Sequence, residues 1–225
     1  MRVATLILAA GLVATPALAQ DADRSVADGG LKVEGWKARV DRRAASQGKT
    51  VNDSKFTAEG QGFRLSVGPA GNFWNPAHVA SGDFDVKATF TEHKMDAGHP
   101  HSYGVFIGGA DLESDTEKLL YCIAYGDGTY MIRMFHKGAQ VTTVSPRAPH
   151  AAVKKAAEGG GATNTVGWSV RGGNASCVIN GTSVKTVARA DIVGPDKLAS
   201  TDGVYGIRVS HNLELSVTGY GMTKP

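Results

Sequence analysis

The chain has 225 residues, 42% apolar and 20% charged, which is ordinary for a soluble globular protein and sets disorder aside as the default. Its 24 Lys and Arg against 21 Asp and Glu give a formal charge of +3 with no dense basic cluster, which argues against a nucleic-acid surface. The 29 glycines and 8 prolines suit short strands joined by tight turns better than long helices.

Met1 to Ala19 carries one basic residue (Arg2), an apolar run from Val3 to Ala14, and Ala17-Leu18-Ala19 before Gln20. That order is the pattern of a cleaved secretory signal peptide. The apolar run is too short to span a bilayer, and no later run approaches the roughly 20 residues a span needs. The expected mature protein is therefore periplasmic or secreted from a bacterium, without a membrane span, at +2 once Arg2 is removed. Residues 20–30 read as a flexible mature N-terminus and 31–225 as a single β-sandwich domain.

Leu31 to Val40, with Trp36, reads as an opening strand or irregular anchor, and Asp41 to Thr57 as a polar loop. Phe63, Leu65 and Val67 then alternate with Arg64 and Ser66. Gly68 to Gly71 breaks that run, and the next segment brings Phe73 and Trp74. Phe84, Val86, Ala88 and Phe90 alternate with Asp83, Asp85, Lys87 and Thr89, a half-buried strand pattern. The polar loop Thr91 to Ser102 holds His93, His99 and His101.

Tyr103 to Lys137 is the stretch around which the fold is read. Asp127-Gly128 between Tyr125 and Tyr130 predicts a hairpin, because such a pair supplies the positive φ angles of a tight primed turn. A two-residue loop would set Tyr125 opposite Tyr130 and Cys122 opposite Arg133. It would turn Tyr121, Ile123, Tyr125, Tyr130, Ile132 and Met134 to the core, and Cys122, Ala124, Met131, Arg133 and Phe135 to the open face. Cys177 shares a face with Ile179 and reads as buried, so Cys122 on the open face speaks weakly against a bridge, although an exported protein allows one. The pairing stays open.

A further strand is expected from Gln140 to Ser145. Pro146 to Gly161 reads as a crossing connection with at most one or two helical turns. Val166, Trp168 and Val170 point inward, and Asn180-Gly181 predicts a second hairpin. Tyr205, Ile207 and Val209 alternate, as do Leu213, Leu215 and Val217. A turn at His211-Asn212 would oppose Val209 to Glu214, so either a bulge intervenes or these strands lie in different sheets. Ten to twelve short strands without a fixed repeat leave a sandwich or barrel.

Phe84–Phe90 with its histidine loop, Tyr103-Gly104-Val105-Phe106-Ile107-Gly108-Gly109 and the Tyr121–Arg133 hairpin resemble the bacterial branch of the concanavalin A-like lectin/glucanase superfamily. So do Val178-Ile179-Asn180-Gly181 and Gly203–Val209. The likeness runs from about Trp36 to the C-terminus and includes exported family-16-like and keto-disaccharide-hydrolase-like domains. It implies an all-β, two-sheet antiparallel jelly-roll sandwich whose concave sheet often binds glycans.

Glu113-Ser114-Asp115-Thr116-Glu117 has the E-x-D-x-E spacing of family 16 glucanases, in which alternation on one strand aims three carboxyls at the substrate. Here the neighbours are Ser114, Thr116 and Lys118 rather than apolar residues, so the segment reads as a solvated acidic loop, with catalysis or a Ca²⁺ site as alternatives. His99 and His101 flank Pro100 and invite Zn²⁺ or copper, but no further ligand is evident nearby, so no metal or cofactor is assigned. Arg133 offers a planar donor fork for sugar hydroxyls or a uronate. Trp74 could supply an aromatic platform. The expected function is carbohydrate binding on the concave sheet through Arg133, His99, His101 and Trp74. Glycoside cleavage and a non-catalytic envelope interaction are the alternatives.

Overall fold

The computed structural model describes residues 21–225 apart from Ala97, Gly138, Ala139 and Glu158; the leader expected at Met1–Ala19 lies outside them. In chain order the described strands are β1 (Gly30–Leu31), β2 (Lys37–Val40), β3 (Lys55–Glu59), β4 (Gly62–Ser66), β5 (Gly71–Ala80), β6 (Phe84–Glu92), β7 (Ser102–Ala110) and β8 (Lys118–Tyr125). They continue as β9 (Thr129–His136), β10 (Gln140–Pro149), β11 (Ala162–Arg171), β12 (Asn174–Ile179), β13 (Thr182–Val187), β14 (Gly203–Val209) and β15 (Glu214–Thr223). Two short helices, α1 (Arg42–Ser46) and α2 (Arg189–Ile192), punctuate them.

One sheet has eight strands in the order β1-β3-β4-β15-β6-β11-β12-β13, and the other has seven in the order β10-β9-β8-β7-β14-β5-β2. Apart from the short parallel pair β1–β3, the pairings are antiparallel. The architecture is the two-sheet jelly-roll sandwich expected.

Alternation explains why the sheets stack. Phe84, Val86, Ala88 and Phe90 of β6 are fully buried, as are Val166 and Val170 of β11 beside the almost wholly buried Trp168. Burying each large apolar side chain is worth about 1.5–3 kcal/mol. The Trp168 indole N–H donates to the Val105 carbonyl of the facing sheet at 3.1 Å, which satisfies a buried donor. On the outside of β6, Asp85 pairs with Arg171 at 2.8 Å.

Asn180 and Gly181 make the two-residue turn expected, with φ of 50° and 83° and Ile179 opposite Thr182. β14 and β15 lie in different sheets, so His211-Asn212 is a link across the sandwich and not a hairpin turn.

The β8–β9 hairpin departs from expectation by one residue. Ala124 faces Tyr130, Cys122 faces Ile132 and Tyr121 faces Arg133. The Gly128 N–H closes on the Tyr125 carbonyl at 3.1 Å with Gly128 at φ 90°, so the loop is Gly126-Asp127-Gly128. A third loop residue reverses the faces of β8, because side chains alternate with period two. Leu120, Cys122 and Ala124 therefore join Tyr130, Ile132 and Met134 in the core between the sheets. Tyr121, Ile123 and Tyr125 turn to the outer face with Met131 and Phe135.

The same shift brings Cys122 to Cys177 on β12, and the two form a disulfide with Cα atoms 6.0 Å apart, joining the sheets through the core. Closing a loop with a sequence separation of 55 stabilises the fold by about 4 kcal/mol in the chain-entropy account.

Other segments are also more ordered than their composition suggested. Asp41 to Thr57 contains α1, a short 3₁₀ turn at Val51–Asp53 and the start of β3. Strand β10 runs on to Pro149, and no helix follows among the described residues of the connection to β11; Val153 instead inserts into the core. Residues 21–30 make hydrogen bonds to the body of the sandwich. Arg24 donates to the carbonyls of Val67 and Leu213 at 2.9 and 2.8 Å, and the Val26 N–H donates to Asp53 O at 3.0 Å. Among the described residues no helix is long and apolar enough to cross a membrane.

Candidate functional site

The outer face of the seven-stranded sheet carries the candidate site. Register places Arg208, Gly104, Ile123 and Met131 in one row, and Gly206, Phe106, Tyr121 and Arg133 in the next. Gly206 is required there, since a Cβ would come within 2.6 Å of the Phe106 ring. Trp74, Phe106, Leu112, Leu119, Tyr121, Ile123, Tyr125 and Phe135 form a second apolar cluster on this face.

At one end of the face lies a compact charge network. The Arg208 guanidinium is centred 5.2 and 5.3 Å from the Tyr121 and Phe135 rings, and donates both arms to Asp41 at 2.5 and 2.6 Å. Burial disfavours the Arg208 cation, but the facing Asp41 overrides this and raises its pKa. Asn72 accepts from Arg208 at 3.3 Å and donates to Glu117 at 3.2 Å. Glu117 is buried, and its burial raises its pKa against the pull of Arg39 and Arg208.

This network settles the geometry of the E-x-D-x-E segment. Residues 111–117 are turns between β7 and β8, so strand alternation does not align the three acids. Glu113 pairs with Lys37 at 2.6 Å and Asp115 with Arg39, both exposed as a solvated loop requires. Glu117 departs from that reading, since it is folded inward.

At the same end, beside Asp41, the loop after β6 brings His99 and His101 to His211 of the β14–β15 link. Their ring centroids are 4.9, 5.5 and 4.5 Å apart for the pairs 99–101, 99–211 and 101–211. Pro100 separates the first two, and their rings stack at an interplanar angle of 22°. His101 is buried, and burial, followed by the neighbouring His211 and His99, lowers its pKa to about 4.

His99, His101, Ser102, Tyr125, Arg147, Ser210 and His211 line one open cleft of about 380 Å³. The Arg147 guanidinium lies 3.8 Å above the Tyr125 ring, a cation–π contact. It is fixed there by Asp127 at 2.7 Å and by the Thr129 hydroxyl at 2.8 Å. Burial works to raise the Asp127 pKa, but hydrogen bonds from Thr129 and the Arg147 cation outweigh it, and the net shift is downward.

Behind the turn sits Glu92, 1% exposed, with neither carboxyl oxygen hydrogen-bonded among the described residues. Burial, reinforced by Asp127, raises its pKa to about 7. Gly126 packs directly against it, and a Cβ there would lie 2.3 Å from Glu92 Oε2, so the carboxyl would have to shift.

Of the residues singled out in the sequence, the structure unites His99 and His101 and separates the other two. Arg133 is on the outer face, half-buried, opposite Tyr121 and Thr143; its Nε is buried without a hydrogen-bond partner among the described residues, and it does not line the histidine cleft. Trp74 is 2% exposed and packs in the outer-face cluster, which leaves no ring face open for a sugar to stack on. Sequence reasoning did not find His211, Tyr125 or Arg147 as neighbours of the histidine loop. The only trace was the broken alternation between Val209 and Leu213, which marks a crossing but not its destination.

No family model and no curated protein matches the chain. Among solved structures, a carbohydrate-binding module, CBM66, from Bacillus subtilis aligns with a TM-score of 0.56 at 9% identity, covering 84% of this chain and 96% of that one. A GH16 protein of a Bacteroides ovatus mixed-linkage glucan locus, in complex with its product, aligns at 0.54 with 9% identity, covering 84% and 95%. A Bacillus subtilis protein of unknown function with a galectin-like fold aligns at 0.53 with 13% identity, covering 84% and 90%. All are concanavalin A-like jelly-roll sandwiches, and the likeness is one of fold.

Proposed function

We propose that this is an exported carbohydrate-binding protein whose ligand enters at the cleft of His99, His101, Tyr125 and Arg147 and runs along the outer face toward Arg133. One observation carries the reading: an aromatic ring, a fixed guanidinium, serine hydroxyls and imidazoles converge in a single open cleft. Sugars present hydroxyls that pair with such donors and acceptors. The half-buried Met131 lies between the cleft and Arg133, so a chain of more than one sugar could follow β8 and β9 between them. Binding modules and a GH16 protein of the same fold support the ligand class. Export is supported by the leader pattern and by the disulfide, which suits an oxidising compartment.

The test is a glycan array followed by calorimetry on the best ligand, with wild type and Arg147→Ala side by side. The expected result is binding to a defined set of glycans, weakened roughly tenfold by the substitution, about 1.4 kcal/mol. No binding to any glycan, or equal binding by both proteins, would overturn the cleft assignment. Release of new sugar ends during the incubation would move the reading from binding to glycoside cleavage.

A further inference from the structure

The histidine cluster is built in a way that carbohydrate binding does not require. Each of His99, His101 and His211 offers a ring nitrogen, and the three nitrogens lie within 4.8 Å of one another. Hydrogen bonding between imidazoles would need one distinct donor and acceptor per pair, and the structure records ring contacts among them but no such bond. Beside them the Asp21 carboxylate lies 3.7 Å from His101 Nε2.

A second, independent feature points the same way. His211 Nδ1 is engaged by the Asp23 carboxylate at 2.8 Å, which leaves Nε2 as the nitrogen available to a ligand. A carboxylate that takes the far N–H of an imidazole, fixing its tautomer and ring angle, is the usual support of a metal-ligating histidine. Asp21 is likewise held, accepting from Asn212 Nδ2 at 2.7 Å. The ligands come from three separate segments, the N-terminal stretch, the loop after β6 and the β14–β15 link, so they converge only in the folded chain.

We infer that His99, His101 and His211, with Asp21 as the fourth donor, form a binding site for a divalent transition ion of the Zn²⁺ or Cu²⁺ class. Three imidazoles and one carboxylate suit these borderline ions, whereas Ca²⁺ and Mg²⁺ take oxygen donors almost alone. Zn–N bonds of about 2.0–2.1 Å in a tetrahedron need nitrogens about 3.3 Å apart, so ring rotations that draw the cluster in from 4.8 Å complete the shell. His99 is exposed and free to make that movement. The ion would sit in the wall of the cleft shared by Tyr125 and Arg147, and it goes beyond the carbohydrate reading without depending on it.

The experiment uses the untagged full chain, stripped with chelator, and titrates Zn²⁺, Cu²⁺ and Ca²⁺ alone by calorimetry, with Co²⁺ absorption as a readout of geometry. The expected result is one Zn²⁺ or Cu²⁺ per chain, a Co²⁺ spectrum of tetrahedral type, a melting temperature that rises with free metal, and no response to Ca²⁺. His101→Ala and His211→Ala should each weaken binding at least tenfold, while His136→Ala, which lies elsewhere, should leave it unchanged. Should His211→Ala misfold, His99→Ala, at an exposed position, supplies the same test. Equal binding by wild type and by the His99 and His211 variants, or no binding near one equivalent, would overturn the site. No sugar is present, so this result is separate from whether the cleft binds a glycan.

Discussion

Two charged regions sit on the same sheet face and solve opposite problems. In the Asp41–Arg208–Asn72–Glu117 network, opposite charges meet at hydrogen-bonding distance, and Arg208 is 7% exposed. In the histidine cleft, three bases of one kind crowd together, with Asp21 3.7 Å from His101 and Asp23 2.8 Å from His211. In the first region the central charges pair with one another within the chain, and its removal should be felt in stability. The second gathers like bases around an open cleft, and its removal should be felt in binding. Burial alone would not separate them, since Glu117 and His101 are both buried.

The sharpest way to break this contrast is Arg208→Met. It strands Asp41 and Glu117 without their shared cation, and should cost about 3–5 kcal/mol in denaturant unfolding. A loss under about 1 kcal/mol would show that the network is no more structural than the cleft.

Glu92 tests the other limit, a buried acid with no hydrogen-bond partner among the described residues. Its folded pKa, about 7, lies above the ordinary glutamate value of 4.5, so the native state holds a proton that the unfolded chain releases. Stability should therefore be undiminished below about pH 4.5 and fall as pH rises toward 7. Glu92→Gln should remove that slope and stabilise the protein at pH 8 by up to ~3 kcal/mol. Unfolding curves at pH 4 and pH 8 provide the check, and equal pH slopes for the two proteins would count against it.

Arg147→Ala sharpens the contrast from the cleft side. Its ion pair with Asp127 is partly exposed, so the stability change should stay within about 1 kcal/mol while glycan affinity falls. Arg133→Ala should give the smallest effect, roughly threefold or less on short glycans and more on longer ones that reach along β9. An effect independent of glycan length would place Arg133 outside the binding path.

The sandwich was legible because its signals are local. Phe84 to Phe90 spells its own inward and outward sides, and Asn180-Gly181 dictates a two-residue turn. Asp127-Gly128 is equally local, yet Gly126 is a third permissive residue, and nothing nearby says whether the loop takes it. That ambiguity reversed the sides of β8 and hid the Cys122–Cys177 bridge, which only the correct register allows. The cleft was half legible. His99 and His101 lie two residues apart in one loop, whereas His211, Asp21 and Arg147 arrive from distant segments through crossings that no local pattern encodes. Arg208, at alternation parity with outer-face residues, reads from sequence as a surface charge, and only the position of Asp41 turns it into a buried one.

The bridge between Cys122 and Cys177 has a kinetic corollary. It anchors the back of the strand whose front bears Tyr121, Ile123 and Tyr125, so the two layers cannot slide past each other when a partner arrives. A visitor meets a preset surface and need not wait for it to rearrange. Differences among visitors should then register mainly in how long they stay, not in how fast they land.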